Sequence, residues 1–600
     1  MMYTEPLNYY REKAAAFGSE KEKLEKQKNS IAWARVAILL AGGWMVYQAW
    51  QTGIGMAFLA FSLALGIFLW LLKKSLRLAE NIHLLEQKIS IHQEEIRMAE
   101  HQAGERFNGA ALAPKNHPYC GDLDLFGQAS LYQYVHRCTS GQGKQLLANW
   151  LLSPADNTVI ASRQDAAREL SGKPDWSVAF QAIGQMNPVN FVTEQSLHNW
   201  LLQPAGFFPK TAWRVLSILF PVVSLSLLGL HIMGVVQAQV FYSLVILFMV
   251  FAFGISRKVM PQYRSLNNIV PQLNTLSAAL KTVESAGFSS TRLKELQFLL
   301  QPDGLPQASL ATFQLRKILD RFDYRLNPLV FVPLNTFLLW DLQQVWSLEK
   351  WKHLNSGALK QWFSTLAEME ALNSLGRLAF NHPNWVFPQI AQEQGLFSGT
   401  GIGHPLIPAA KRICNDFSSR NLPAIALVTG SNMAGKSTFL RSIGINQVLA
   451  MCGAPVCAEA LTVSNMRIMS SMRIADNLEE NTSTFYAELS KLKAIIEAVN
   501  RKEPVFLLLD EILRGTNSQD RQTGSKALII QLIRQSACGL LATHDLSLTE
   551  LQRQYPAALT NYHFDVSVEG EELYFDYKLK TGICQSMNAS ILMKKIGIEL

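Results

Sequence analysis

Four apolar segments, grouped in two pairs, constrain this chain more than any other feature. Residues 36–50 are apolar apart from Gln48 and follow Arg35; after Gln51-Thr52-Gly53 comes 54–72, which carries no charge. A second pair occupies 215–236 and 239–256. Three of the four are 18 residues or longer and uncharged, the length needed to cross the hydrocarbon core of a bilayer. The first reaches that length if Ile31–Arg35 is included and Arg35 snorkels. The alternative is four buried core helices, but a soluble helix usually carries a polar face and these segments do not.

Flanking charge gives the orientation. Lys21, Lys23, Lys26, Lys28 and Arg35 precede the first segment, and Lys73, Lys74 and Arg77 follow the second. Lys210 and Arg214 precede the third, and Arg257, Lys258 and Arg264 follow the fourth. The connections near 51–53 and 237–238 hold no Lys or Arg. By the positive-inside rule both hairpin tips face outward and all other parts face the cytoplasm. The expectation is a multi-pass protein of the cytoplasmic (inner) membrane, with the lipid bilayer as a partner. Some thirty polar and charged residues precede the first apolar run, which argues against a cleaved signal peptide.

Composition agrees. Hydrophobic content is 48%, charged content 17% and mean hydropathy +0.07, a balance that fits apolar residues facing lipid. At 600 residues several domains are expected. The net charge of +8 fits basic flanks of membrane helices, and equally nucleic acid or an anionic surface. Seven scattered cysteines show no CxxC pair and no Cys/His ligand spacing. They read as reduced thiols of a cytoplasmic protein rather than a zinc site.

The remaining N-terminal parts read as helical. Leu78, Ile82, Leu85, Ile89, His92 and Ile96 recur at spacings of 4 and 3, a heptad seam that pairs two chains, folds back on residues 11–28, or serves a single amphipathic helix. Residues 122–170 read as helices separated by short turns, with Pro154 opening one of them, and 262–385 also follow helical spacing.

The C-terminal third carries the chemistry. An apolar strand runs to Thr429, and Gly430, Gly435, Lys436 and Ser437 then satisfy GxxxxGK[ST] ahead of an apolar-periodic helix. In such a loop the backbone N–H groups of Gly430, Ser431, Asn432, Met433, Ala434, Gly435 and Thr438 wrap nucleotide phosphates at a helix N-terminus. Lys436 reaches the β/γ-phosphates of ATP, and the Ser437 hydroxyl binds Mg²⁺. A second strand, VFLLLDE at 505–511, ends in two carboxylates. Asp510 suits the second Mg²⁺ ligand, and Glu511 is placed to orient or deprotonate the attacking water. A third strand, ACGLLAT at 537–543, delivers His544 to the same sheet edge as a γ-phosphate sensor.

TGSNMAGKST, DNLEENTSTFYAEL, LLLDEILRGTNSQD and LATHD, in that order and spacing, resemble the ATPase domain of the MutS DNA mismatch-repair family over roughly residues 400–600. Residues 123–170 look like the start of the MutS core, and 262–400 like its returning lever. The resemblance implies a homodimer with composite sites, in which Ser483 reaches the γ-phosphate of the partner's ATP and Thr484 and Phe485 support that loop. It places Asn415 and His563 near the adenine and Arg514–Asn517 at the dimer interface. DNA is the implied macromolecular partner, and no small-molecule substrate other than ATP is expected.

Some features depart from that family. The mismatch-reading domain with its Phe-x-Glu wedge has no counterpart, and the hairpins fall where it and the DNA clamp would be. The expected Ser-Tyr-Gly reads Ser586-Met587-Asn588, and the approach to Ser483 reads Glu479-Glu480-Asn481-Thr482. These changes speak against direct mismatch reading.

The fold class expected is an α/β P-loop ATPase domain of the ABC/MutS type, C-terminal to an all-α core and lever region, with two transmembrane helical hairpins. The division is an N-terminal helix (1–31), hairpin one (32–72), a coiled-coil-like helix (73–110), a first core-like part (111–212), hairpin two (213–256), a second lever-like part (257–400) and the ATPase domain (401–600). The function expected is a membrane-anchored MutS-type ATPase acting on DNA in repair or recombination. The alternative is a membrane ATPase using the same dimerisation for a non-DNA task. A transporter of the ABC type is the least favoured, since no LSGGQ-like signature precedes Asp510.

Overall fold

The computed structural model describes residues 6–102, 104–203, 211–301, 307–431, 434–472, 484–569 and 572–583. Two helices dominate its N-terminal part. α1 (Pro6–Thr52) and α2 (Ile54–Ala99) pack antiparallel and turn at Gly53, whose φ of +145° suits a residue without a Cβ. At 1.5 Å per residue each is about 70 Å long. Both helices run without a break across residues 31–32 and 72–73, so the basic and apolar halves of each belong to one rod.

The heptad seam packs within the chain. Ile82, Leu85 and His92 are buried, Lys21 pairs with Glu86 at 2.9 Å, and Phe17 stands edge-on to His92. The rod's base is fixed by aromatic and ionic contacts. Tyr9 and Tyr10 are buried against Phe380. The buried Glu95 carboxylate takes Arg137 at 2.8 and 2.9 Å, Arg106 at 3.1 Å and Asn381 at 2.8 Å. Burial alone would raise its pKa, and the two guanidinium groups outweigh that and hold it well below the carboxylate range.

The helical body follows: α3 (Leu131–Val135), α4 (Gly141–Leu152), α5 (Asn157–Ser171), α6 (Pro174–Met186), α7 (Phe191–Leu202), α8 (Thr211–Ile232), α9 (Ala238–Leu266) and α10 (Val270–Glu284). Then come α11 (Thr291–Leu299), α12 (Ala308–Phe322), α13 (Pro328–Leu338), α14 (Trp340–Asn355) and α15 (Leu359–Asn381). Side chains of Ser130, Ser140 and Asn190 cap α3, α4 and α7 by accepting a first-turn N–H. Pro154 does not open a helix; α5 starts three residues later, behind Asp156. α15 is buried along most of its length and packs on α4 and α5. Its Glu370 accepts the Ser140 N–H at 3.0 Å and the Thr139 hydroxyl at 2.5 Å.

Among the described residues, four helices are long and apolar enough to cross a membrane: α1, α2, Ala212–Ile232 and Ala238–Met260. No more than 17% of any of their apolar windows is buried, so they are not buried core helices. α13 is a shorter apolar helix that the sequence reading did not separate from its surroundings.

The C-terminal region is α/β. It contains β1 (Gln389–Ala391), β2 (Phe397–Ile402), β3 (Asn415–Ser419), β4 (Ala424–Thr429), α16 (Lys436–Cys452), β5 (Ala460–Ser464) and β6 (Arg467–Ser471). α17 (Thr484–Asn500), β7 (Val505–Asp510), α18 (Ser518–Arg534), β8 (Cys538–Ala542), β9 (Leu559–Glu569) and β10 (Glu572–Thr581) complete it. β1-β5-β2-β3 form one sheet and β10-β9-β4-β8-β7-β6 the other. The second sheet is parallel except for β10. β7 and β8 are buried at every position, hence their unbroken apolar runs.

A short segment ties the two regions together. Asp122 accepts from Ser470 Oγ at 2.7 Å and from the Met472 N–H at 3.3 Å, and faces Lys491 at 3.3 Å. Leu123 fits against Gly444 of α16, where an added Cβ would lie 2.7 Å from its Cδ2.

Candidate nucleotide site

In a parallel sheet the carboxyl ends of the strands form a rim where ligands bind. β4, β8 and β7 are neighbours, with Val428 in register with Ala542 and Ala542 with Asp510. The residues after each strand therefore share one rim: Gly430 after β4, His544 after β8, and Asp510 and Glu511 at the end of β7.

The loop from Gly430 to Gly435 needs glycine at both ends. Gly430 has φ +145°, and a Cβ there would lie 3.0 Å from the Phe564 carbonyl; Gly435 has φ +96° and is met by the Tyr577 ring at 2.9 Å. α16 starts at Lys436, so its first-turn N–H groups face the loop. The Lys436 ammonium is buried and donates to Gly430 O and Ser431 O, both at 2.9 Å. Asn432, Met433 and Ser483 lie outside the described residues, as do Ser586-Met587-Asn588 and Glu479–Thr482.

Ser437 Oγ donates to Asp510 Oδ2 at 2.5 Å. Asp510 Oδ1 and Ser431 Oγ are buried and have no hydrogen-bond partner among the described residues. A buried carboxylate oxygen left open beside a hydroxyl fits Mg²⁺, which takes one or two carboxylates plus substrate phosphates. Among the described residues no group of three or more His, Cys, Asp or Glu could hold a metal, and that mode of binding needs none.

Glu511 departs from the strand with φ +50°, a left-handed conformation that costs a non-glycine residue about 1–3 kcal/mol. It turns the carboxylate back over the rim, where it meets His544 Nε2 and, at 3.1 Å, Arg514 Nε. Lys436 Nζ lies 3.3 Å from the same imidazole nitrogen. Burial lowers the His544 pKa and the Lys436 charge lowers it further, against the opposing pull of Glu511. The ring is therefore held toward its neutral form.

The other flank of the loop is built by β9 and β10. His563 is in register with Thr429; its Nε2 faces Asp565 at 3.3 Å and its Nδ1 is buried without a partner among the described residues. Asn415 clasps the β10 backbone, donating to Tyr577 O at 3.0 Å and accepting from the Leu579 N–H at 2.8 Å. Its link to the loop therefore runs through Tyr577.

Three residues escaped the sequence reading. Glu488 is buried and accepts from the backbone N–H groups of Leu513 and Arg514. Its signal lies in FYAEL (485–489), where nothing in the spacing separates the acidic position from an ordinary helix residue. Tyr577 lies against Gly435 with no motif of its own, and Asp122 becomes visible only through its contacts. Phe485 supports the loop after Glu511, since a Cβ on Gly515 would lie 2.6 Å from its own.

Comparison with known proteins adds to this geometry. Residues 426–596 match MutS domain V. The MutS-like region is 30% identical, over 234 residues, to the DNA mismatch repair protein MutS of Thermotoga petrophila. It is 31% identical, over 236 residues, to that of Thermotoga maritima. The alignments cover 38% and 39% of this chain and 29% of each relative, so the match spans under a third of the length of these curated relatives.

Proposed function

We propose that this chain is a membrane-anchored, Mg²⁺-dependent ATPase of the MutS type that works as a homodimer and couples its nucleotide cycle to DNA. The observation that carries the reading is the convergence of Lys436, Ser437, Asp510, Glu511 and His544 on one rim of a parallel sheet, in a region similar to MutS domain V.

The loop N–H groups and the Lys436 ammonium bind the phosphates and neutralise their charge. Ser437 and Asp510 would hold Mg²⁺, which would supply charge neutralisation at the phosphate oxygens. Glu511 orients the attacking water and accepts its proton. His544, kept toward the neutral form, fixes the Glu511 carboxylate beside the phosphate end of the loop. Ser483 of the second copy completes the site in trans. His563, Asn415 and Tyr577 line the flank where the base is held.

The relatives' description as DNA mismatch repair proteins supports DNA as the partner. A second reading, a membrane ATPase with a non-DNA task, is favoured by the apolar surface of the first hairpin. Trp33, Leu40, Ile54 and Phe58 are each at least 70% exposed, surfaces suited to lipid and not to phosphate backbone. Basic flanks and exposed apolar windows support four membrane spans with the ATPase on the cytoplasmic side.

The test is the ATPase rate of the detergent-purified full chain, alone and with homoduplex, mismatched and four-way-junction DNA at moderate salt. Stimulation by any DNA supports the first reading. Robust turnover indifferent to all three selects the second, and absence of turnover under every condition overturns both.

A further inference from the structure

α13 is apolar, 11 residues long and interrupted by Pro333. At about 16 Å it is too short to cross a 30 Å hydrocarbon core. It nevertheless packs on α8 and α9, the helices of the second hairpin. Ser224 Oγ of α8 donates to Phe337 O at 2.5 Å, and Phe331 stands edge-on to Phe253 of α9, 6.0 Å away. Arg214 on α8 and Arg257 on α9 mark the basic end of that hairpin. Ser224 is ten residues inward from Arg214, and Phe253 four inward from Arg257. With Asn335 bonded to Ser256, the residue next to Arg257, α13 therefore lies alongside the hairpin from about 2 Å to about 15 Å inside its basic end.

Two carbonyls at the C-terminal end of the segment are answered inside the protein, as lipid requires. A helix leaves its last carbonyls without intrahelical partners. Here Phe337 O takes the Ser224 hydroxyl and Leu338 O takes Gln343 Nε2 at 2.8 Å. The Asn335 side chain accepts the Asp341 N–H at 3.3 Å and donates to Ser256 Oγ at 2.9 Å. Asp341 in turn pairs with Arg325 at 3.2 Å, so the charges turn inward. The outward face is apolar: Leu329 is 87% exposed, Leu326 72% and Val330 40%. Tyr324 and Trp340 stack at its edge, as amphipathic rings do at a membrane surface.

We propose that α13 and its corner with α14 form a re-entrant wedge whose outward face, Leu326, Leu329 and Val330, sits among the acyl chains of the cytoplasmic leaflet. The wedge is a third membrane element, beyond the four spans, and it rests on the reading that α8 and α9 cross the bilayer. Through α14, whose Trp351 donates to Ala311 O at 2.7 Å, it joins the membrane to the helical body.

The test uses the full-length protein in phosphatidylcholine liposomes, with Cys414→Ser and Cys584→Ser, the five other cysteines being buried. An environment-sensitive NBD probe is attached at Leu329→Cys or Leu326→Cys, with Leu219→Cys on α8 and Glu497→Cys on α17 as references. Spin-labelled (doxyl) lipid quenches probes in contact with acyl chains. The wedge predicts loss of emission at 329, 326 and 219 and none at 497. Quenching at 219 with 329 and 326 behaving like 497 overturns the wedge and leaves the spans intact. Absence of quenching at 219 overturns the spans and the wedge with them.

Discussion

The Glu488 carboxylate accepts the backbone N–H of Leu513, two residues beyond Glu511. A second bond, to the Arg514 N–H at 3.2 Å, comes from its other oxygen. Helix α17 thus grips the turn that aims the Glu511 carboxylate. Glu488→Gln keeps one acceptor and Glu488→Ala keeps none. The expected result is a kcat loss of about 10–100-fold for the alanine variant, less for glutamine, with ATP affinity retained. Steady-state ATPase and equilibrium binding of a fluorescent nucleotide separate the two effects, and a loss of binding equal to the loss of rate would assign Glu488 to the fold alone.

The proposed function gives Lys436 and Glu511 different steps, so their variants should fail differently. Lys436→Ala removes the ammonium held at 2.9 Å from the loop carbonyls and is expected to abolish nucleotide binding. Glu511→Gln keeps binding and lowers kcat by about 10²–10⁴-fold. A Glu511→Gln protein that turns over at the parental rate would remove this residue from the water-activating role.

The open Asp510 Oδ1 beside the Ser437 hydroxyl gives the proposed Mg²⁺ dependence a specific test. Wild-type ATP affinity should fall when Mg²⁺ is chelated. For Asp510→Asn the affinities with and without Mg²⁺ should converge, because the negative charge facing the cation is gone. A variant that retains the full Mg²⁺ effect would place the metal elsewhere.

Glu95 is buried between two guanidinium groups. Glu95→Ala leaves Arg106 and Arg137 buried without their counter-charge, an arrangement that costs about 3–5 kcal/mol. The expected outcome is a lower unfolding midpoint by differential scanning fluorimetry and earlier proteolysis between α2 and α3. Unchanged melting would mean that the long hairpin is held by its aromatic base alone.

His382 and His404 are buried, and burial pushes their pKa values down from 6.5 to about 3 and about 4. The native state keeps both neutral while the unfolded chain takes up protons as pH falls through 6.5. Stability is therefore full above pH 6.5 and is lost progressively from there toward pH 4. His382→Gln, which keeps an acceptor for the Tyr134 hydroxyl now bonded at 2.7 Å, should flatten the decline of the melting temperature between pH 7 and 5. An identical slope in the variant would assign the decline to other groups.

The rim of the candidate site was legible because each of its residues follows an apolar strand directly, and a strand end fixes a position in space. β4, β7 and β8 fall on the three runs that the apolar pattern marks. Glu488 and Asp122 were not legible, because a buried carboxylate that binds backbone N–H groups looks, in sequence, like any polar residue on a helix or loop. Helix continuity was hidden for another reason. The composition of α1 changes at residue 31, but the backbone hydrogen bonding that makes a helix does not depend on what surrounds it. α13 escaped because a mostly apolar helix of 11 residues with an internal proline falls below the length that marks a span. The resemblance places Asn415 near the adenine, whereas the structure shows its amide bonded to the β10 backbone, a pairing that no spacing rule encodes.

Because α1 runs unbroken from Tyr9 and Tyr10 at its base to Thr52 at its tip, it is geared like a long pointer on a short axle. At a length of about 70 Å, a tilt of about 5° at the aromatic base carries the tip sideways by about 6 Å. Ångström-scale repacking around α15 is thereby magnified at the far end, and a sideways load on the tip is returned to the base with the same leverage.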